Sequence, residues 1–125
     1  MTENEISNVI FNAALKVHKA LGPGLLESAY EECLFYELEK QGLNVERQKA
    51  LPLVYEEVKM EIGYRVDIMV ESKVIIELKA VEALNDVHLA QILTYLKLSG
   101  CKLGMLINFN VTLIKNGIRR VVNNL

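Results

Sequence analysis

The sequence predicts one α/β domain spanning residues 1–125, with elements in the order α, α, β, β, β, α, β and a small C-terminal hairpin. Three observations predict it. Helical periodicity dominates residues 4–41, period-two alternation appears from residue 60, and an amphipathic helical stretch from Asn85 separates two short apolar runs. At 125 residues, with 51% hydrophobic residues, the chain is the size of one domain and can fill one core. No internal repeat, linker or low-complexity segment divides it.

The first helix is expected over residues 4–20, where Ile6, Val9, Ile10, Ala13, Ala14, Val17 and Ala20 form one stripe. Gly22 and Pro23 stop it. A second helix is expected from about Gly24 to Gln41. Its stripe is Leu26, Ala29, Tyr30, Cys33, Leu34 and Leu38, and Gly42 ends it. Residues 45–54 read as a weak extended stretch whose Pro52 suits an edge or a bend, and its apolar edge can support self-association. Met60, Ile62, Tyr64, Val66, Ile68 and Val70 alternate with Glu61, Gly63, Arg65, Asp67 and Met69, which predicts a strand. Glu71-Ser72-Lys73 is a polar turn, so Val74–Ala80 is expected to return antiparallel to it. Asn85 or Asp86 can cap a helix that ends at Gly100. Leu103–Phe109 reads as a central strand. Asn116-Gly117, between 111–114 and 118–122, predicts a terminal hairpin.

Cys33 and Cys101 lack metal-ligand spacing and read as free thiols among apolar neighbours, with a disulfide as the lesser alternative. No apolar run is long enough to span a bilayer, so no membrane association is expected. The acidic N-terminus lacks a secretory pattern, which makes the cytoplasm the expected location. The net charge of −2 is unusual for a nucleic-acid binder. The charge is divided unevenly, however. Residues 1–58 carry five Lys/Arg against ten Asp/Glu, whereas residues 59–125 carry nine against six.

The candidate chemistry lies mainly in that second, basic part. Glu77 and Lys79 are two apart in a strand and share a face. Asp67 lies on the preceding strand, and folding the hairpin can bring it toward Glu77. Two close carboxylates repel unless a cation lies between them. Mg²⁺ accepts carboxylate oxygens and keeps positions for water or phosphate. Lys79 would then stand beside a phosphate. The competing reading is a solvent-facing polar stripe or a cross-strand ion pair. Gln91 and Tyr95 are i and i+4 on one helix face and can touch phosphate, or simply form a polar rim. Glu27, in the first turn of the second helix, suits the helix dipole and can also supply a third acidic ligand. His18 fits a helix C-terminus, with an auxiliary ligand role as the alternative.

The run Gly24-Leu-Leu-Glu27-Ser-Ala-Tyr30, followed by Asp67, Glu77-Leu-Lys79 and Gln91-Ile-Leu-Thr-Tyr95, resembles the G-x-x-E-x-x-Y family of small bacterial proteins. That family looks like a compact branch of the PD-(D/E)XK nuclease superfamily, and the Gln91…Tyr95 element is similar to that of helicase-associated exonuclease domains. The resemblance covers nearly the whole chain. It implies a three-layer, restriction-endonuclease-like core with a central mixed sheet flanked by helices. It also implies Mg²⁺-dependent (or Mn²⁺-dependent) phosphodiester hydrolysis of DNA or RNA. Glu27, Asp67 and Glu77 would be metal ligands, Lys79 the catalytic lysine, and Gln91 and Tyr95 substrate contacts, with His18 and Tyr30 as auxiliary candidates. Val66 stands where the superfamily name has proline. Small size and net negative charge support two alternatives: a non-catalytic module that binds a protein partner, or one that binds nucleic acid without cutting it.

Overall fold

Helix α1 (Glu3–Leu21) begins with a reciprocal cap. The Glu5 amide donates to Thr2 Oγ1, and the Thr2 amide donates to the Glu5 carboxylate. Helix α2 spans Glu27–Lys40 and starts three residues later than periodicity suggests. Gly24 takes a φ of +100°, which no helix contains, so residues 24–26 belong to the joint. The computed structural model describes residues 1–60 and 63–125. Beyond the two helices it contains β1 (Val45–Ala50), β2 (Leu53–Tyr55), β3 (Val58–Met60), β4 (Arg65–Val70) and β5 (Val74–Lys79). Helix α3 (Asp86–Ser99), β6 (Leu103–Asn108), a 3₁₀ turn (Ile114–Gly117) and β7 (Ile118–Val122) follow.

Five strands form one mixed sheet in the order β1-β4-β5-β6-β7. Only β5 and β6 run parallel, joined through α3; the other neighbours are antiparallel. β5 and β6 are central and covered on both faces, which is why they read as apolar runs rather than alternating patterns. α1 and α2 pack their stripes on Ile68, Val70, Ile76, Leu78, Met105 and Ile107. On the other face, Ile92, Tyr95 and Leu96 of α3 cover Val66, Met69, Ile75 and Leu106. The result is a three-layer α/β architecture of the restriction-endonuclease-like type. Both cysteines are free, with Cys101 buried and Cys33 half-buried. Among the described residues no helix is long and apolar enough to cross a membrane.

Three expectations need correction. The stretch 45–54 breaks at Pro52 and β1 is an edge strand, but it forms two strands rather than one: β1 stops at Ala50, and β2 pairs with β3 in a separate two-stranded ribbon. Its turn residues Glu56 and Glu57 have φ of 49° and 68°, values that sequence signals assign to Asn or Gly, so this hairpin carried no turn signature. The long strand expected from residue 60 begins at Arg65, and the part of it at Glu61 and Ile62 lies outside the described residues.

The terminal hairpin also differs. Residues 111–113 are not a strand, and Asn116-Gly117 closes a 3₁₀ turn that feeds β7 directly onto β6. Gly117 is needed there for close approach, because a Cβ would collide with the Asn108 carbonyl oxygen. Gly117→Ala should therefore destabilise the protein by about 1–3 kcal/mol in urea unfolding, through a forced shift of backbone rather than of a flexible side chain.

Candidate active site where β4 and β5 part

The ladder between β4 and β5 runs from Val70↔Val74 to Ile68↔Ile76 and then stops. Side chains take over from backbone at the next position. The Asp67 amide donates to Glu77 Oε2 at 2.6 Å, and the Leu78 amide donates to Asp67 Oδ2 at 2.8 Å. Each acid thus satisfies a main-chain N–H of the opposite strand. The strand also changes phase here. Ile68 and Val70 pack toward α1 and α2, but Val66 packs toward α3.

Glu77 is 5% exposed. Burial first, and then the nearby Asp67 carboxylate, push its carboxyl up to about 8, against the backbone hydrogen bond and Lys79, which favour the charged form. Asp67 is raised too, mainly by burial and also by Glu31, while the Leu78 amide opposes the rise. Lys79 follows on the α3 face of β5, the face that Ile75 and Glu77 share. Its ammonium makes no hydrogen bond or ion pair with another described residue, so it remains available to an incoming anion.

Helix α3 brings Tyr95 to the same place. Its ring is buried edge-on to Tyr64, at 6.2 Å between centroids. Burial, and then Glu77 and Asp67, raise its hydroxyl pKa, while the side chain of Gln91, one turn earlier, favours the ionised form. Gln91 itself is exposed.

Glu27 opens α2, and its Oε2 accepts the Ala80 amide at 3.2 Å, which ties the helix N-terminus to the end of β5. An open depression of about 420 Å³, lined by Leu25, Leu26, Glu27, Ser28 and Ala80, adjoins this contact. A more apolar groove of about 360 Å³ between α1 and α2, at Val17, Leu21, Cys33 and Tyr36, includes none of the candidate residues.

Sequence reading missed the acid that acts on the pair electrostatically. Glu31, one turn after Glu27, is buried, and its charge raises both Asp67 and Glu77. Helical spacing places it with Tyr30, Leu34 and Leu38 on the buried face, and that spacing was the available signal. His18 and Tyr30 are engaged elsewhere. His18 Nε2 lies 2.8 Å from the Val111 carbonyl oxygen, which can only accept, so that nitrogen carries a proton and has no lone pair for a metal. Tyr30 stacks on Phe109 at 4.4 Å, donates to the Gly22 carbonyl and accepts from the Leu25 amide.

Among the described residues, no three His, Cys, Asp or Glu side chains are grouped so as to hold a metal ion by themselves. The donor chemistry of the pair nevertheless fits a hard divalent cation. After the backbone hydrogen bonds, Glu77 Oε1 and Asp67 Oδ1 remain, and Mg²⁺ is commonly bound by one or two carboxylates with water and phosphate completing its shell.

A mixed sheet between helical layers, with an acid and an acid-x-Lys where two strands part, defines a nuclease-type α/β domain. The family model of the PD-(D/E)XK nuclease superfamily matches residues 4–121, and the chain belongs to that superfamily. No curated protein and no solved structure matches it.

Two outcomes are expected. The Glu77 carboxyl has a folded pKa near 8 against an ordinary value of 4.5, so its proton favours the native state. That contribution is fully present below about pH 4.5 and is lost as pH rises toward 8. In EDTA, Glu77→Gln should therefore be more stable than the parent by roughly 2–4 kcal/mol at pH 8, with the gap closing toward pH 5, as read by urea unfolding. Tyr30→Phe should cost about 1–2 kcal/mol in the same assay, since two backbone groups of the joint lose their partner.

Proposed function

We propose that this protein is a metal-dependent nuclease of the G-x-x-E-x-x-Y branch that hydrolyses phosphodiester bonds in DNA or RNA. The observation that carries this reading is the interlocked Asp67–Glu77 pair with the uncommitted Lys79 ammonium two residues further on. Asp67 and Glu77 would hold Mg²⁺ or Mn²⁺, with Glu27 as a further candidate ligand at the edge of the site. The ion would supply Lewis acidity to the phosphoryl group and to water. Lys79 stabilises negative charge that develops on the phosphoryl oxygens. Tyr95 is kept protonated by burial beside the two acids, so its hydroxyl can donate to a phosphate oxygen. Gln91, exposed one turn away, contacts the flanking backbone. The buried walls around Glu77 limit water at the reacting bond.

Purified protein should cleave single- or double-stranded DNA or RNA with Mg²⁺ or Mn²⁺ and stop on chelation. Lys79→Ala should lower the rate by about 10²–10³ while leaving the urea midpoint near that of the parent. Cleavage that survives both Lys79→Ala and Asp67→Ala comes from a contaminant.

A second reading, a non-catalytic module that binds a protein partner, is favoured by one observation: the absence of a three-acid cluster among the described residues. It predicts no calorimetric Mn²⁺ binding and no cleavage by the parent protein, together with recovery of a defined protein partner.

A further inference from the structure

Gln48 lies at a gap in the ladder between β1 and β4, where the register itself is unbroken. Arg47 pairs with Ile68 and Lys49 with Val66, so Gln48 stands directly across from Asp67. Its φ is +49°, a left-handed conformation inside a strand. The surroundings show what this does. Val45 packs with the α1–α2 core, whereas Leu51 packs with the α3 core, so β1 changes phase just as β4 does at Asp67. Glu46 and Lys49, three apart and on opposite faces of a regular strand, form an ion pair of 2.9 Å.

The side chain at this break is held at both ends of its reach. Gln48 Nε2 donates to Glu31 Oε1 at 2.8 Å and makes a longer contact of 3.4 Å with Asp67 Oδ1. An amide NH₂ has two hydrogens, so one group can serve both acids. Glu31 cannot drift, because Arg47 grips its other oxygen through Nη2 at 3.0 Å and Nε at 3.3 Å. Arg65 Nη1 donates to the Gln48 carbonyl from the other side. Left-handed backbone costs a non-glycine residue on the order of 1 kcal/mol, and Gly or Asn would fit it better. A glutamine here therefore trades backbone comfort for side-chain length. Asn is one methylene shorter, and Gly offers nothing to either carboxylate.

We propose that Gln48 is a positioning residue: its amide ties Asp67 Oδ1 to the fixed Glu31 carboxylate and so sets the orientation of the acid that meets the metal and substrate. This deepens the nuclease reading and rests on it for its catalytic consequence. A neutral donor suits the task. It orients Asp67 without the positive charge that would compete with a cation for the same oxygen. The carboxylate it holds is the one that accepts the Leu78 amide, so its effect is readable without metal.

The test uses the full chain with Gln48→Gly and Gln48→Asn. Both replacements suit the left-handed backbone, which offsets the lost amide hydrogen bond to Glu31, so the urea midpoint should stay near that of the parent. Three readings should nevertheless move. The Leu78 amide should shift in ¹⁵N–¹H spectra and lose about tenfold in exchange protection. Mn²⁺ affinity by calorimetry should fall about 10–100-fold. The kcat for nucleic-acid cleavage should fall by a similar factor, with KM within about threefold. An unchanged Leu78 amide in both variants overturns the proposal, as does a Leu78 change accompanied by an equal loss of global stability. If the parent protein neither binds Mn²⁺ nor cleaves, the nuclease reading fails, and the Leu78 amide still decides whether Gln48 orients Asp67.

Discussion

Two carboxylates that replace two rungs of a β-ladder are the constraint on which the site depends. Asp67 and Glu77 each accept a main-chain N–H from the other's strand, so the acids cannot move without opening the sheet. Burying both is costly, and the raised pKa of Glu77 records that cost. A structure that needed only stability would continue the ladder with apolar pairs, as it does from Ile68↔Ile76 to Val70↔Val74. Here the strands part instead and leave one oxygen of each acid uncommitted to backbone, near a lysine whose ammonium makes no hydrogen bond or ion pair with another described residue.

The helical layer serves this arrangement through α2. Its stripe anchors the helix by Tyr30, Leu34 and Leu38, and its acids occupy successive turns along the sheet. Glu27 ties the helix start to Ala80, while Glu31 is pinned by Arg47 and Gln48 of the edge strand. The residues of the G-x-x-E-x-x-Y run therefore divide their work. Tyr30 closes the joint between α1 and α2 and stacks on Phe109, far from any chemistry of its own. Position along the helix decides the difference, because each turn faces a different level of the sheet.

Charge is arranged to match. The acidic surplus of residues 1–58 includes Glu27 and Glu31, one of them buried and paired with Arg47. Lys79 and Arg65 come from the basic remainder. Net charge alone thus says little about affinity for a polyanion, since local potential at the cleft governs approach. Burial and the Asp67 carboxylate hold the Glu77 pKa up, which favours its neutral form in the absence of a cation.

Periodicity alone determined the two helices, α3, the apolar runs of β5 and β6, and the shared face of Glu77 and Lys79, because each follows from neighbours three, four or two residues apart. Asp67, Gln91 and Tyr95 were legible as candidates from the combined pattern, and tertiary structure sets Tyr95 near Asp67 and Glu77 with Gln91 one turn away. The ribbon β2–β3, the 3₁₀ turn before β7, the left-handed Gln48 and the role of Glu31 were not legible. The ribbon is local, but its Glu56-Glu57 turn carries no Asn or Gly signal, and the others are decided by contacts outside their own elements: Gly117 against Asn108, Gln48 across from Asp67, Arg47 on Glu31. Local sequence encodes which face a side chain takes within an element, but a phase change in two adjacent strands exists only once they pair, and that pairing turns two acids toward each other.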